Sequence, residues 1–249
     1  MTGDLEALAD PGCGWSYRRD ASAFGVIPGS PIAYWASDAV IKAFATNNTL
    51  GAQSKARSGL KTGNNDMFLR EWHEVGVSSI GIGMSDTVAA CASGCKWFPY
   101  NKGGEYRNWY GNRSLVVNYA NDGEEIRLHS RISGASTCFT SSDYYFHEGI
   151  TWTALTSGRN SFRFSPDGAI FDSNKGPMLY PQTHSLLLYT LALLNASTNS
   201  LFITFVNPTL SLQNGDVDNL PYTYCNDVFE TVLGLSNENI QISRVDWTS

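Results

Sequence analysis

The 249 residues carry 17 Lys and Arg against 23 Asp and Glu, a formal net charge of −6, with 42% hydrophobic and 12% aromatic residues. So much apolar material with so few charges excludes a disordered chain, and the length suffices for one large domain or two small ones with a real core. The acidic balance argues against an autonomous, tightly binding DNA protein, which is basic as a rule.

In chain order, residues 1 to about 20 hold few apolar anchors and read as a lead-in. The start, MTGDLEALADPG, has no basic beginning and no long apolar region, so no signal peptide is expected. Ile27 to Ile32 is an extended, proline-punctuated segment. Ser37 and Asp38 cap a short helix through Val40, Ile41 and Phe44. Thr49 to Lys61 reads as a polar loop, Thr62 to Asp66 as a turn, and Met67 to Leu69 with Trp72 as a strand. Ser78 to Gly94 is a small-residue insertion. Lys96–Tyr100 and Leu115–Tyr119 have strand character, and Asn121-Asp122-Gly123 signals a turn. Tyr144–Phe146, Ile150–Trp152 and Phe162–Phe164 read as further short strands, and Pro166-Asp167-Gly168 turns the chain into Ala169–Phe171.

His184 to Asn195, HSLLLYTLALLN, carries the one strong helical pattern. Its apolar residues cover most of the circumference, which predicts burial on several sides. Its longest apolar run, Leu186 to Leu194, is short of the roughly 20 residues a membrane span needs, and no membrane contact is expected. Leu201–Val206 is a strand or a second helix, and Asp227–Leu235 suits a final helix. The whole reads as α+β: short mixed or antiparallel strands with a buried C-terminal helix.

The densest chemical signal lies between Lys96 and Asn112. KWFPYNKGGEYRNWYGN holds Lys96, Lys102, Arg107, six aromatics and the pair Gly103-Gly104. Cations meet phosphates, rings stack on bases, and glycine lets backbone amides come close, so this composition suits a nucleic acid. An aromatic hairpin packed into a β core is the competing reading. The charge is unevenly spread. Lys55 to Lys175 holds 13 basic and 12 acidic residues, a net of +1, whereas Ser200 onward holds six acids and one base, a net of −5. The middle of the chain is therefore able to present a basic face.

Other signatures fail on inspection. Asn207-Pro208-Thr209-Leu210 is close to the amino-methyltransferase signature, but Thr209 replaces its second proline and Leu210 its stacking aromatic, so no catalytic role is assigned. Gly81-Ile82-Gly83 lacks the strand, third glycine and downstream acid of a nucleotide loop. Asp167, Asp172 and Lys175 miss nuclease spacing by one residue, and Ser58 to Lys61 matches Ser-x-x-Lys by spacing alone. The four histidines show no metal spacing. Five cysteines (Cys13, Cys91, Cys95, Cys138, Cys225), odd in number and scattered, fit reduced thiols in a cytoplasm. Cys91 and Cys95 form half a zinc site that Cys138 or His147 would have to complete; two loop cysteines is the simpler reading.

Several segments together resemble one family. They are Ile27–Trp35, Gly59–Asn65 with Phe68–Trp72, and Lys96–Gly104 with Arg107 and Trp109–Asn112. Tyr145-Phe146, Gly149–Trp152 and Phe162–Phe164 continue the set; Leu194-Asn195, Asn207–Leu210, Gly215-Asp216 and Leu220-Pro221 close it. The chain is similar, from about residue 24 to at least 221, to the C-terminal part of the PglX-like adenine-specific DNA methyltransferases of BREX phage-defence systems. The related type IIG restriction-modification enzymes share the pattern.

The resemblance implies a target recognition domain over residues 46–249, with 1–45 as a connector from a methylase core this chain lacks. It implies double-stranded DNA as partner, together with the methylase core or other defence proteins. S-adenosylmethionine would bind in the missing core and no cofactor here, so catalysis by this chain alone is not expected. The residues expected to meet DNA are Lys61, Asn64, Asn65 and Arg70 around one glycine turn, Lys102, Arg107 and Asn112 around another, and Arg159 and Arg163 near a strand start. Asn pairs bidentately with adenine and Arg with guanine, while Lys and Arg hold phosphates. Equally, such residues build turns and buried hydrogen bonds. The alternative function is a protein-interaction module, docking on defence components or bound by a phage DNA mimic.

Overall fold

The computed structural model describes residues 25–31 and 33–249. The readings of the lead-in, the N-terminal start and Cys13 lie outside these residues. Ser37 caps helix α1 (Asp38–Thr46) as expected, its Oγ accepting the Val40 N–H at 3.3 Å. Short elements follow: β1 (Asn48–Thr49), α2 (Leu50–Gln53), β2 (Ala56–Arg57), β3 (Leu60–Lys61), α3 (Asn65–Phe68) and β4 (Leu69–Glu71). Helix α4 (Thr87–Ala92) leads into β5 (Trp97–Asn101) and β6 (Leu115–Asn118). Helix α5 (Ala120–Ser133), β7 (Cys138–Phe139), β8 (Gly149–Trp152), β9 (Phe162–Ser165), β10 (Ile170–Phe171) and β11 (Met178–Leu179) complete the middle. The last third holds α6 (His184–Asn195), α7 (Ser197–Val206), α8 (Asn214–Asp218), β12 (Pro221–Tyr222) and α9 (Phe229–Thr248).

Two four-stranded sheets carry the architecture. One runs β10-β5-β6-β4 and the other β2-β11-β8-β9. All neighbours are antiparallel except β10 and β5, which run parallel. Each sheet has its own apolar cluster. Leu60, Phe68, Phe98, Tyr100, Val117 and Ile170 pack around the first. Trp152, Phe162, Leu187, Leu191 and Phe202 pack between the second and the helices of the last third. The α+β expectation holds, and the buried helix is α6: Leu187, Leu188, Tyr189, Thr190, Leu191 and Leu194 are all inside.

No single described helix is long and apolar enough to cross a membrane. The pair α6 and α7 has the composition but bends by 73°, and the inward faces of both helices belong to the core.

The structure differs from the sequence reading in several places. Thr49 to Lys61, read as a polar loop, holds α2, β2 and β3; Met67 and Phe68, read as strand, end helix α3, and Trp72 starts a 3-10 turn; the Ser78 to Gly94 insertion contains α4. Tyr144 to Phe146 is no strand; Ser142–Tyr144 is a 3-10 turn and Phe146 has φ 70°. Asn121-Asp122-Gly123 is a left-handed turn, φ 50°, 58° and 71°, but a helix follows it directly, through Ser133. The final helix runs on to Thr248.

Candidate nucleic-acid interface

Three chain segments end side by side at one edge of the first sheet. β10 pairs with β5 in parallel, Ile170 opposite Tyr100 and Phe171 opposite Asn101. The Asp172 N–H extends this ladder to the Asn101 carbonyl at 2.8 Å. Leu60 forms a parallel bridge to Asp172, and the Ser173 N–H reaches the Leu60 carbonyl at 3.1 Å. Lys61 is the last residue of β3, Lys102 follows β5 directly, and the chain past β10 runs through a turn to Lys175. Ligands gather at the carboxyl ends of parallel strands because the chain leaves the ladder there and frees its loops.

A buried polar hub fixes the three ends. The Tyr100 hydroxyl lies 2.8 Å from the Leu60 carbonyl and 2.9 Å from Asp172 Oδ2. Burial, and then the Asp172 carboxylate beside it, push the phenol well above its ordinary value, so it remains a donor. Asp172 Oδ1 accepts the N–H groups of Asn174 at 2.7 Å and Lys175 at 2.8 Å, which shapes the turn.

Three adjoining concavities follow this edge. Lys61, Asn65, Lys102 and Lys175 line the first, of about 240 Å³. The second, about 440 Å³, shares Asn65 and Lys102 with it and adds Arg70 and Glu71. The third, about 590 Å³, shares Glu71 and Leu115 with the second and adds Gly103, Gly104, Arg107, Asn112 and Trp247. Six of the nine residues expected from the sequence thus line one connected run: Lys61, Asn65, Arg70, Lys102, Arg107 and Asn112.

Their present engagements differ. Lys61 Nζ donates to Ser136 Oγ at 3.0 Å. Arg70 Nη1 donates to the Asp66 and Leu69 carbonyls, both at 2.6 Å. Asn65 Oδ1 accepts the Thr62 hydroxyl at 2.9 Å. Arg107 is paired with Asp246 at 2.9 Å and lies over the Trp247 ring at 5.0 Å. Asn112, at φ 56°, donates to the Glu105 carbonyl at 2.8 Å. Partial burial lowers the Lys102 pKa from its usual 10.5; nearby Asp172 and Asp66 oppose the shift and Lys175 adds to it.

The other three stand apart. Asn64 caps α3, its Oδ1 accepting the Met67 N–H at 3.1 Å. Arg159 lines a separate cavity beside Asn207 and Thr204. Arg163 is only 1% exposed. Its guanidinium donates to Ser161 Oγ, Thr153 Oγ1 and the Arg107 carbonyl, and desolvation lowers its pKa to about 10. It is spent inside the fold, which corrects its expected place at the DNA. Among the aromatics of the Lys96–Asn112 stretch, Phe98, Tyr100 and Tyr110 are core residues, whereas Tyr106 is 53% exposed. Trp72 is also 53% exposed. Sequence reasoning missed Lys175 and Trp247. Lys175 carries a signal, its spacing after Asp172, but on the sequence that spacing reads as a near-miss nuclease motif.

The rejected signatures have structural explanations. The Asn207 amide is consumed by its own turn: Oδ1 accepts the Thr209 N–H and hydroxyl, and Nδ2 donates to the Ser211 carbonyl. A Cβ on Gly81 would lie 2.3 Å from the Phe98 ring, so this glycine makes room for packing. Among the described residues, no group of three His, Cys, Asp or Glu side chains converges to hold a metal ion.

No known family profile matches the chain. It is 39% identical over 254 residues to the adenine-specific methyltransferase PglX of Lacticaseibacillus casei (strain Zhang), a match covering 98% of this chain and 20% of that protein. It is 36% identical over 227 residues to the adenine-specific methyltransferase BrxX of Escherichia coli O9:H4 (strain HS), covering 90% of this chain and 17% of that protein. The chain spans about a fifth of the length of the curated relatives it matches. These matches relate it to adenine-specific methyltransferases. It is homologous to the C-terminal region of PglX and BrxX, the methyltransferases of BREX defence systems.

Proposed function

We propose that this domain is the DNA-recognition part of a BREX adenine-specific methyltransferase and carries no catalysis of its own. The observation that supports the reading is the convergence of six expected side chains, from segments far apart in sequence, on one run of concavities. In this reading Lys61, Lys102 and Arg107 meet phosphates, while Asn65, Arg70 and Asn112 face base edges. Residues 46–249 form the recognition domain and 1–45 a connector. S-adenosylmethionine and the methyl transfer belong to the part of the relatives that this chain does not span, and the protein works on DNA in the cytoplasm. Affinity is modest for the isolated domain, because its net charge of −6 opposes a polyanion.

A second reading has one observation in its favour. Leu235, Ile242 and Val245 are exposed on α9, beside Glu238 and Asp246. This face suits a protein partner, either another defence component or a phage DNA mimic.

Fluorescence anisotropy with a labelled duplex at low salt separates the two. Wild type binds, and Lys102→Ala with Arg107→Ala weakens binding by about tenfold, roughly 1.4 kcal/mol. A folded wild-type domain that leaves the duplex free at low salt refutes the recognition reading. Partner capture unchanged by the two substitutions, without DNA binding, favours the second.

A further inference from the structure

The first concavity gathers Lys61, Lys102 and Lys175, half of the chain's six lysines, in a protein that is acidic overall. Composition does not explain this clustering; topology does. Lys61 ends β3, Lys102 directly follows β5, and Lys175 lies past the turn that follows β10. The backbone there is closed by glycine against glycine. Gly103 has φ +85°, and a Cβ on it would lie 2.5 Å from the Lys175 carbonyl. A Cβ on Gly176 would lie 2.7 Å from the Asn101 carbonyl and 2.8 Å from the Gly103 nitrogen. The dipeptides Lys102-Gly103 and Lys175-Gly176 therefore lie against each other, at a separation that side chains would forbid.

The cluster is not neutralised within the fold. None of the three lysines forms an ion pair among the described residues; the ion pairs there involve Lys96, Arg107, Arg127 and His184. Asp172 is the one acid lining the cavity, and its oxygens already accept from Tyr100, Asn174 and Lys175. Three ammonium groups against one carboxylate leave a formal +2. Partial burial lowers the Lys102 pKa even though Asp172 and Asp66 stand near it, and Lys175 adds to the shift.

We propose that Lys61, Lys102 and Lys175 form a seat for one phosphate group of the nucleic-acid backbone. The volume supports a single group: about 240 Å³ is below the roughly 300–1,000 Å³ of pockets that enclose organic ligands. The assignment rests on the DNA-recognition reading and sharpens it. Lysine ammoniums are point charges with rotatable donors, so the seat fixes the position of the duplex and carries no sequence information. Readout is left to the adjoining concavity, where Arg70 and Asn65 lie.

The test is a salt series of anisotropy titrations on two duplexes of unrelated sequence. It compares wild type, the double variant Lys102→Gln with Lys175→Gln, and Lys175→Arg, with urea unfolding as a folding control. The expected result is a slope of log K against log salt that is shallower by about one for the double variant, equally on both duplexes. Lys175→Arg keeps the wild-type slope. An unchanged slope in the double variant overturns the seat while the recognition reading stands. A loss confined to one duplex also overturns it, because it marks a base contact. If wild type fails to bind either duplex, the recognition reading falls, and a titration with inorganic phosphate decides the seat by itself. Saturable amide shifts at Gly63, Gly103 and Asn174, absent in the double variant, sustain it; no such shifts reject it.

Discussion

The two apolar clusters are of similar make but end differently. The cluster behind β8 and β9 is closed by α6, α7 and α9, and its polar side chains turn inward. Arg163, Asn195, Asn199 and Asn207 each bond to backbone or hydroxyl groups of the fold. The cluster behind β5 and β6 stops at an open edge, where parallel strand ends leave lysines without acidic partners. A cation in the first region is a structural part, and a cation in the second is available to a ligand. Positive charge does not separate Arg163 from Lys102; burial within the second sheet's core, against a place at the open end of the first sheet, does.

The sharpest way to break this comparison is Trp152→Ala. Trp152 is fully buried in the helical cluster, and its indole N–H donates to the Leu212 carbonyl at 3.1 Å. Urea unfolding will show a loss of about 3–5 kcal/mol, while the salt slope of duplex binding stays at the wild-type value. Gly103→Ala acts on both stability and binding. A methyl group at φ +85° and 2.5 Å from a carbonyl costs about 1–3 kcal/mol, and it parts Lys102 from Lys175. Duplex affinity falls with it, which the Trp152 substitution does not achieve.

The smallest expected effect is a pH dependence. The folded pKa of Lys102 is below 10.5, so the unfolded chain holds that proton more tightly than the fold does. Charged Lys102 therefore lowers stability at neutral pH, and this destabilisation fades as pH rises toward 10.5. A bound anion favours the charged form, so duplex affinity declines on the alkaline side before the ordinary lysine value is reached. Binding titrations across that range will show a change below tenfold for wild type and none for Lys102→Arg, whose guanidinium stays ionised.

Much of the framework was legible in the chain. Helix α6 runs over the residues its apolar pattern predicted, and β5, β6, β8 and β9 lie where short β-rich runs stood between turn signals. Helix α5 was hidden because Asn121-Asp122-Gly123 does turn the chain, and the EEIRLHSRIS that follows has too few apolar residues to advertise a buried face. The candidate interface was legible by composition and illegible by geometry. Lys61, Lys102 and Arg107 stood out beside their glycines. Lys175 did not, because its place beside Lys102 depends on a parallel pairing between strands about 70 residues apart. Arg163 failed in the opposite sense: a strand of alternating Phe and Arg gives no sign of which face meets solvent when both faces are covered.

The ion pair between Arg107 and Asp246 has a consequence for how the third concavity responds to its surroundings. The last helix supplies an acidic partner for Arg107, so in the proposed role Arg107 exchanges one negative partner for another when it meets a duplex. Added electrolyte weakens the leaving contact as well as the arriving one, and the two effects largely cancel. In the proposed recognition role Arg107 is thus expected to act as a salt-tolerant latch, and the lysines at the other end of the groove to carry most of the ionic sensitivity.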